Sequence, residues 1–165
     1  MRPARRATAF VRAAAVVVVV LIADRITKHL VVSGITVGEV HKLVPGVSLV
    51  HVRNTGVAFG FFAGGGALVF VLTLIALAAL VVYFVRRPNR RGLWLPTGLL
   101  VGGALGNLID RVLNGSVTDF IKLPHWPAFN VSDMAITVGV VALLLVLEGP
   151  ASRNAEPAAD RQAQR

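Results

Sequence analysis

GGALGNLIDRVLNGSVTDFIKLPHWPAFNVSD, residues 102–133, is the stretch whose reading decides the fold. It holds three of the chain's eight acidic residues, Asp110, Asp119 and Asp133, in a sequence that is otherwise apolar helix and basic flank. Gly98, Gly102, Gly106 and Asp110 repeat every four residues, so they share one stripe of a helix predicted over about 92–112. Glycines on such a stripe let a neighbouring helix approach closely. Asn107 near its end needs polar partners, because a buried amide without them is expensive. The chain then leaves through NGSVTDF, where Val117, Asp119 and Ile121 alternate with Thr118 and Phe120 as on a short strand. Those apolar neighbours predict a partly desolvated Asp119. FNVSD opens the next helix, where Asn130, Ser132 or Asp133 each suits the cap and an acid suits the helix dipole. Capping explains Asp133 without any chemistry; it does not explain Asp119.

The rest of the chain says what this stretch is embedded in. Of 165 residues, 55% are hydrophobic and only 15% charged, against roughly 25% charged in an average soluble domain. With a mean hydropathy of +0.72, the class is integral membrane protein, mainly α. The formal charge of +9 does not mark a nucleic-acid surface, because the basic residues gather at the ends of apolar runs. The absence of cysteine excludes disulfides, zinc thiolates and a thiol nucleophile. The four histidines show no metal-ligand spacing, so neither a metal nor a cofactor is expected.

Four transmembrane helices are predicted, over about 10–32, 67–85, 92–112 and 131–149. The first follows a basic arm and reads as a retained anchor, since no small-residue cleavage site follows it. It is interrupted by Asp24, Arg25, Thr27, Lys28 and His29; Asp24 and Lys28, four apart, can pair on one face. Residues 33–66 and 113–130 lie between spans. The first part of 33–66 is β-branched and broken by Gly and Pro, the pattern of short strands in a small sheet. RNTGVAFGFFAGGG then predicts a short interfacial helix that Asn54 or Thr55 would cap. Arginines crowd the N-terminal arm and the 86–91 turn, whereas 33–66 and 113–130 carry few cations. Both termini are therefore expected in the cytoplasm and both sparse segments outside. Residues 1–150 form one membrane-embedded domain in this reading, and 151–165 a disordered cytoplasmic tail.

This topology brings Asp110, Asp119 and Asp133 to one outer surface. Two carboxylates at a partly dry site cannot both ionise cheaply, so one holds a proton. Such a pair can activate water with one member and protonate a carbonyl or leaving group with the other, which suits amide hydrolysis. Two other classes compete. A small four-helix proton-coupled transporter would use Asp24 as its exchanging carboxylate, and a non-enzymatic assembly factor would use the glycine stripe to seat a partner helix.

Five blocks stand in order: DRITK (24–28), RNTGVAFG (53–60), GGALGNLIDR (102–111), SVTDFI (116–121) and FNVSD (129–133). Together they make residues 10–147 resemble lipoprotein signal peptidase, the type II signal peptidase of bacteria. The resemblance implies an aspartyl endopeptidase of the inner membrane, with its active site at the outer face. It would cut lipid-modified prolipoproteins on the amino side of the diacylglyceryl-cysteine, as a monomer among membrane lipid. By motif, Asp119 and Asp133 would be the catalytic pair. Asn54, Asn107, Asp110, Arg111 and Asn130 would line the site, and Asp24 and Lys28 would brace the first helix. Val57 and Ser132 stand where the family more often has alanine. The apolar segment around Phe59 and Phe61, with the glycines at 64–66, is a candidate gate over the site.

Overall fold

The computed structural model describes residues 3–55, 66–88 and 90–148. The expected interfacial helix with Phe59 and Phe61, Gly64 and Gly65 of the expected hinge, and the tail 151–165 lie outside them. Four helices and three strands are present among the described residues: α1 (Pro3–Gly34), β1 (Val40–Val44), β2 (Val47–Asn54), α2 (Gly66–Arg86), α3 (Trp94–Asn114), β3 (Val117–Lys122) and α4 (Val131–Glu148). Two stretches, Arg6–Gly34 and Val131–Glu148, are long and apolar enough to cross a membrane. α1 starts well before the expected edge at residue 10, its first described residue a proline, which suits a helix's first turn.

One face of α1 is buried at Ala9, Ala13, Val20, Asp24, Lys28 and Val31, a run at helical spacing. Of its polar interruption Asp24 and Lys28 therefore point inward, whereas Val18, Val19, Ile22, Ile26 and Leu30 are exposed. α4 likewise exposes Val138, Val141, Leu144 and Leu145. Apolar residues covering whole helix faces are the inverse of a water-soluble surface and form a belt for lipid.

The glycine stripe explains how α1 and α3 meet. A Cβ on Gly98 would come within 2.6 Å of the Val16 Cβ, and one on Gly106 within 2.9 Å of the Asp24 carboxylate while colliding with the Ser132 hydroxyl. Packing is thus the stripe's role, as predicted, and larger residues would force the helices apart. Gly98 faces Ala13 and Val16 while Gly106 faces Asp24, so α1 and α3 run parallel. Gly103 faces Ser132 and Ile136 whereas Gly139 faces Leu99 and Leu100, so α4 runs antiparallel to both. At one end Ala9, Ala13, Phe84 and Leu93 form an apolar cluster, where Phe10 and Phe84 meet edge-on at 5.0 Å. Arg90, from the basic turn, donates to the last carbonyls of α4, Val146 at 2.9 Å and Leu147 at 2.8 Å. That guanidinium satisfies backbone acceptors that the helix leaves open.

At the other end stands an antiparallel sheet in the order β1-β2-β3. α3 ends at Gly115, whose left-handed φ of 68° turns the chain directly into β3. Val52 pairs with Asp119 and Asn54 with Val117, so these four project on one side of the sheet. Asn54 is the last residue of β2, and pairing with β3 puts it on the Asp119 side of the sheet; the helix it was expected to cap lies outside the described residues. Buried His51 ties the sheet to the residue that follows α1, its Nδ1 lying 2.8 Å from the Ile35 carbonyl.

Candidate active site

Asp119 is 2% exposed, on a strand whose Val117 and Phe120 are buried as well. Both of its oxygens accept amide hydrogens: Oδ2 from Asn54 Nδ2 at 2.8 Å, and Oδ1 from Asn130 Nδ2 at 2.7 Å. Burial pushes this carboxyl up from the ordinary 3.8 to about 6. The Asn54 hydrogen bond opposes that, the Asp133 charge adds to it, and Asn130 and Lys28 pull back.

Asn130, with no exposed surface, joins the two aspartates. Its Oδ1 accepts from the Asp133 N–H at 3.0 Å, and its own N–H donates to Asp133 Oδ2 at 3.1 Å. This is a reciprocal capping box at the start of α4. Of the three cap candidates, Asn130 is the cap, Asp133 is its reciprocal partner, and Ser132 caps nothing through its side chain. Asp133 nevertheless keeps a second bond, accepting from Asn107 Nδ2 at 2.7 Å, and remains partly exposed. Capping and facing the site are compatible for one carboxylate, because its two oxygens point to different partners.

Behind this pair lies a buried ion network between α1 and α3. Lys28 Nζ donates to Asp24 Oδ2 at 2.8 Å and to Asn107 Oδ1 at 3.2 Å. It also lies 2.8 Å from Asp110 Oδ2, a close ion pair without hydrogen-bond alignment. Arg25, 46% exposed, reaches Asp110 Oδ1 at 2.8 Å. The other oxygen of Asp24 accepts from the Ser132 N–H at 3.0 Å. Two acids and two bases thus neutralise each other across a helix crossing, and their shared lysine fixes which way Asn107 faces. With its oxygen held by Lys28 and Asn130, Asn107 must aim its NH₂ at Asp133.

The predicted residues Asn54, Asn107, Asn130, Asp119 and Asp133 therefore meet in one hydrogen-bonded cluster, with Asp24, Lys28 and Asp110 directly behind it. Arg111 does not join them; its guanidinium donates back to the Asn107 carbonyl at 3.2 Å. Asp110 is served instead by Lys28 and by Arg25, which went unassigned in the sequence. Its signal was there: Arg25 and Lys28 are three apart on a helix, so one turn can present both to a facing acid.

Ser132 adds one anomaly. Its hydroxyl is fully buried against Gly106 without a hydrogen-bond partner. Ser132→Ala should therefore raise stability by about 1 kcal/mol and leave turnover unchanged, as read from the melting midpoint in detergent. A lower midpoint would mean that the hydroxyl has a partner after all.

A family profile described as Signal peptidase (SPase) II matches residues 16–148. The chain is 40% identical over 126 residues to a lipoprotein signal peptidase of Thermodesulfovibrio yellowstonii, covering 74% of this chain and 84% of the relative. To that of Syntrophomonas wolfei it is 43% identical over 129 residues, covering 78% and 87%. Two solved structures, described as bacterial membrane enzymes determined by the in meso method, superpose with TM-scores of 0.79 and 0.76. Their identities are 32% and 33%, with coverage of 88% and 84% of this chain and 92% and 93% of theirs. With its five motif blocks, its apolar helices and a profile match over most of its length, the chain belongs to the signal peptidase II family of membrane peptidases.

Proposed function

We propose that this chain removes signal peptides from diacylglyceryl-modified prolipoproteins, and that Asp119 and Asp133 carry out the hydrolysis as an aspartic pair. The observation that carries the reading is the bridge through Asn130, which donates to both carboxylates at once, its side-chain amide to Asp119 and its backbone N–H to Asp133. In the reactive form Asp119 carries the pair's proton, since burial and the neighbouring charge raise its affinity for it. Asp133 takes a proton from water as the water oxygen attacks the scissile carbonyl carbon. Asp119 gives its proton to the carbonyl oxygen, producing a tetrahedral diol. Collapse re-forms the carbonyl, breaks the C–N bond and sends a proton to the departing amine. Asn54 and Asn107 hold the two carboxylates in register for this exchange.

Four membrane spans with both termini cytoplasmic are supported by parallel α1 and α3, by α4 antiparallel to both, and by the arginine asymmetry. The sheet and the aspartates then stand at the outer surface of the inner membrane, where a lipid-anchored cysteine would present its preceding peptide bond. Asp24, with Lys28 on one oxygen and the Ser132 N–H on the other, is a brace and offers no proton path to a transporter.

A general acid and a general base acting in one step should give cleavage of a diacylated precursor a bell-shaped pH profile. Removing the Asn54 amide deletes an interaction that favours ionised Asp119. Asn54→Leu should therefore move the alkaline limb to higher pH while lowering kcat. An unmoved alkaline limb would assign that titration to another group.

A further inference from the structure

The catalytic reading leaves a second basic feature unused, at the hairpin end of the sheet. Lys42 pairs with Ser48, and Ser48 pairs with Lys122. One row across three strands is therefore Lys–Ser–Lys, with both lysines on the same side and their backbones about 10 Å apart, twice the strand spacing. A cavity of about 610 Å³ opens there, and His125 also lines it; no acidic residue does. Lys122 is held in place by its bond to the Trp126 carbonyl at 2.7 Å. Leu43, Val44 and Trp126, close by, are each more than half exposed. β3 is also tied to the membrane level: Ile121 bridges to Phe129, two residues before α4 begins.

We infer that this cavity seats the phosphate headgroup of an anionic phospholipid, the acyl chains lying along Leu43, Val44 and Trp126. Two lysines and a hydroxyl around one point suit a compact phosphodiester. Exposed aliphatic side chains beside a tryptophan suit the boundary between headgroup and acyl chain. An acidic peptide would leave those side chains in water and use only the charges. Docked in this way, the sheet is fixed in height over the bilayer, and with it β3 and Asp119. The inference rests on the membrane-surface placement proposed above.

The test uses the full-length chain in detergent, titrated with short-chain phosphatidylglycerol, phosphatidylcholine of equal chain length, inorganic phosphate or an acidic peptide, and read by native mass spectrometry and melting midpoint. Phosphatidylglycerol should bind on the order of tenfold more tightly than phosphatidylcholine, and K42Q/K122Q should abolish that preference. The double variant should still cleave a detergent-dispersed diacylated precursor at the wild-type kcat. A preference that survives in K42Q/K122Q overturns the inference. Equal stabilisation by inorganic phosphate would make it a simple anion site, and displacement of the lipid by the acidic peptide would make it a peptide surface; either result also overturns it. Because binding is read without turnover, failure of the peptidase reading would show separately, as a wild-type chain that binds lipid but cuts nothing.

Discussion

Asp119→Asn is expected to lower cleavage of a diacylated precursor by on the order of 10⁴-fold or more, since it removes the proton donor of a two-carboxylate mechanism. Asp133→Asn should be as severe, and the double variant little worse than either, because the pair acts as a unit. The stability of Asp119→Asn should move the other way. In the folded chain its carboxyl titrates near 6, against 3.8 ordinarily, so between those values the folded state binds more protons than the unfolded state. Wild-type stability therefore falls as pH rises through that window, by about 3 kcal/mol at most for a shift from 3.8 to about 6. The amide carries no such penalty. In detergent at neutral pH the variant should melt no lower than wild type, and any advantage should disappear below about pH 4. Cleavage retained by either single variant would sink the aspartic pair. An inactive variant that melts far below wild type at neutral pH would mean that Asp119 holds the fold together.

Lys28→Met should cause the largest loss of stability of any single change at the helix crossing. Lys28 touches Asp24, Asp110 and Asn107 from inside the α1–α3 interface, where it is 4% exposed. Without it Arg25 still pairs with Asp110, but Asp24 is left buried without a cation, and breaking such an arrangement costs about 3–5 kcal/mol. Asn107 would also lose the contact that fixes its orientation, so residual activity should show a reduced kcat even where the protein remains folded. Adding Asp24→Leu should recover part of the stability, because the acid left behind is the main source of strain. If Lys28→Met melts within a degree of wild type, the network contributes little and α1 is held by its glycine contacts.

How much of this was legible beforehand depends on the kind of information each residue carries. The helices were legible because long apolar runs and arginine clusters are local patterns imposed by the bilayer. So was the packing role of Gly98, Gly102 and Gly106, which follows from helical period alone. Asp119 could be singled out because an acid among Val117, Phe120 and Ile121 lacks a structural excuse. α1 reaches beyond the expected span at 10–32, because a helix can continue into a basic arm that apolar content leaves out. Asn54 was open to two readings: its local sequence is that of a cap, and only pairing between β2 and β3 turns its amide toward Asp119.

The sequence by itself determined the membrane class, the helical stripes and, through five ordered blocks, the family. Only the tertiary structure decided which polar groups meet. Asp110 is served from α1 by Arg25 and Lys28 and not by adjacent Arg111. Asn130 caps α4 and joins both aspartates, so that Asp133, explicable as a helix-start residue alone, also belongs to the cluster. The physical reason is distance along the chain: Arg25 and Asp110 are separated by 85 positions, and Asn54 and Asp119 by 65. Periodicity constrains residues within one element, whereas a hydrogen bond between elements exists only once packing has brought them together.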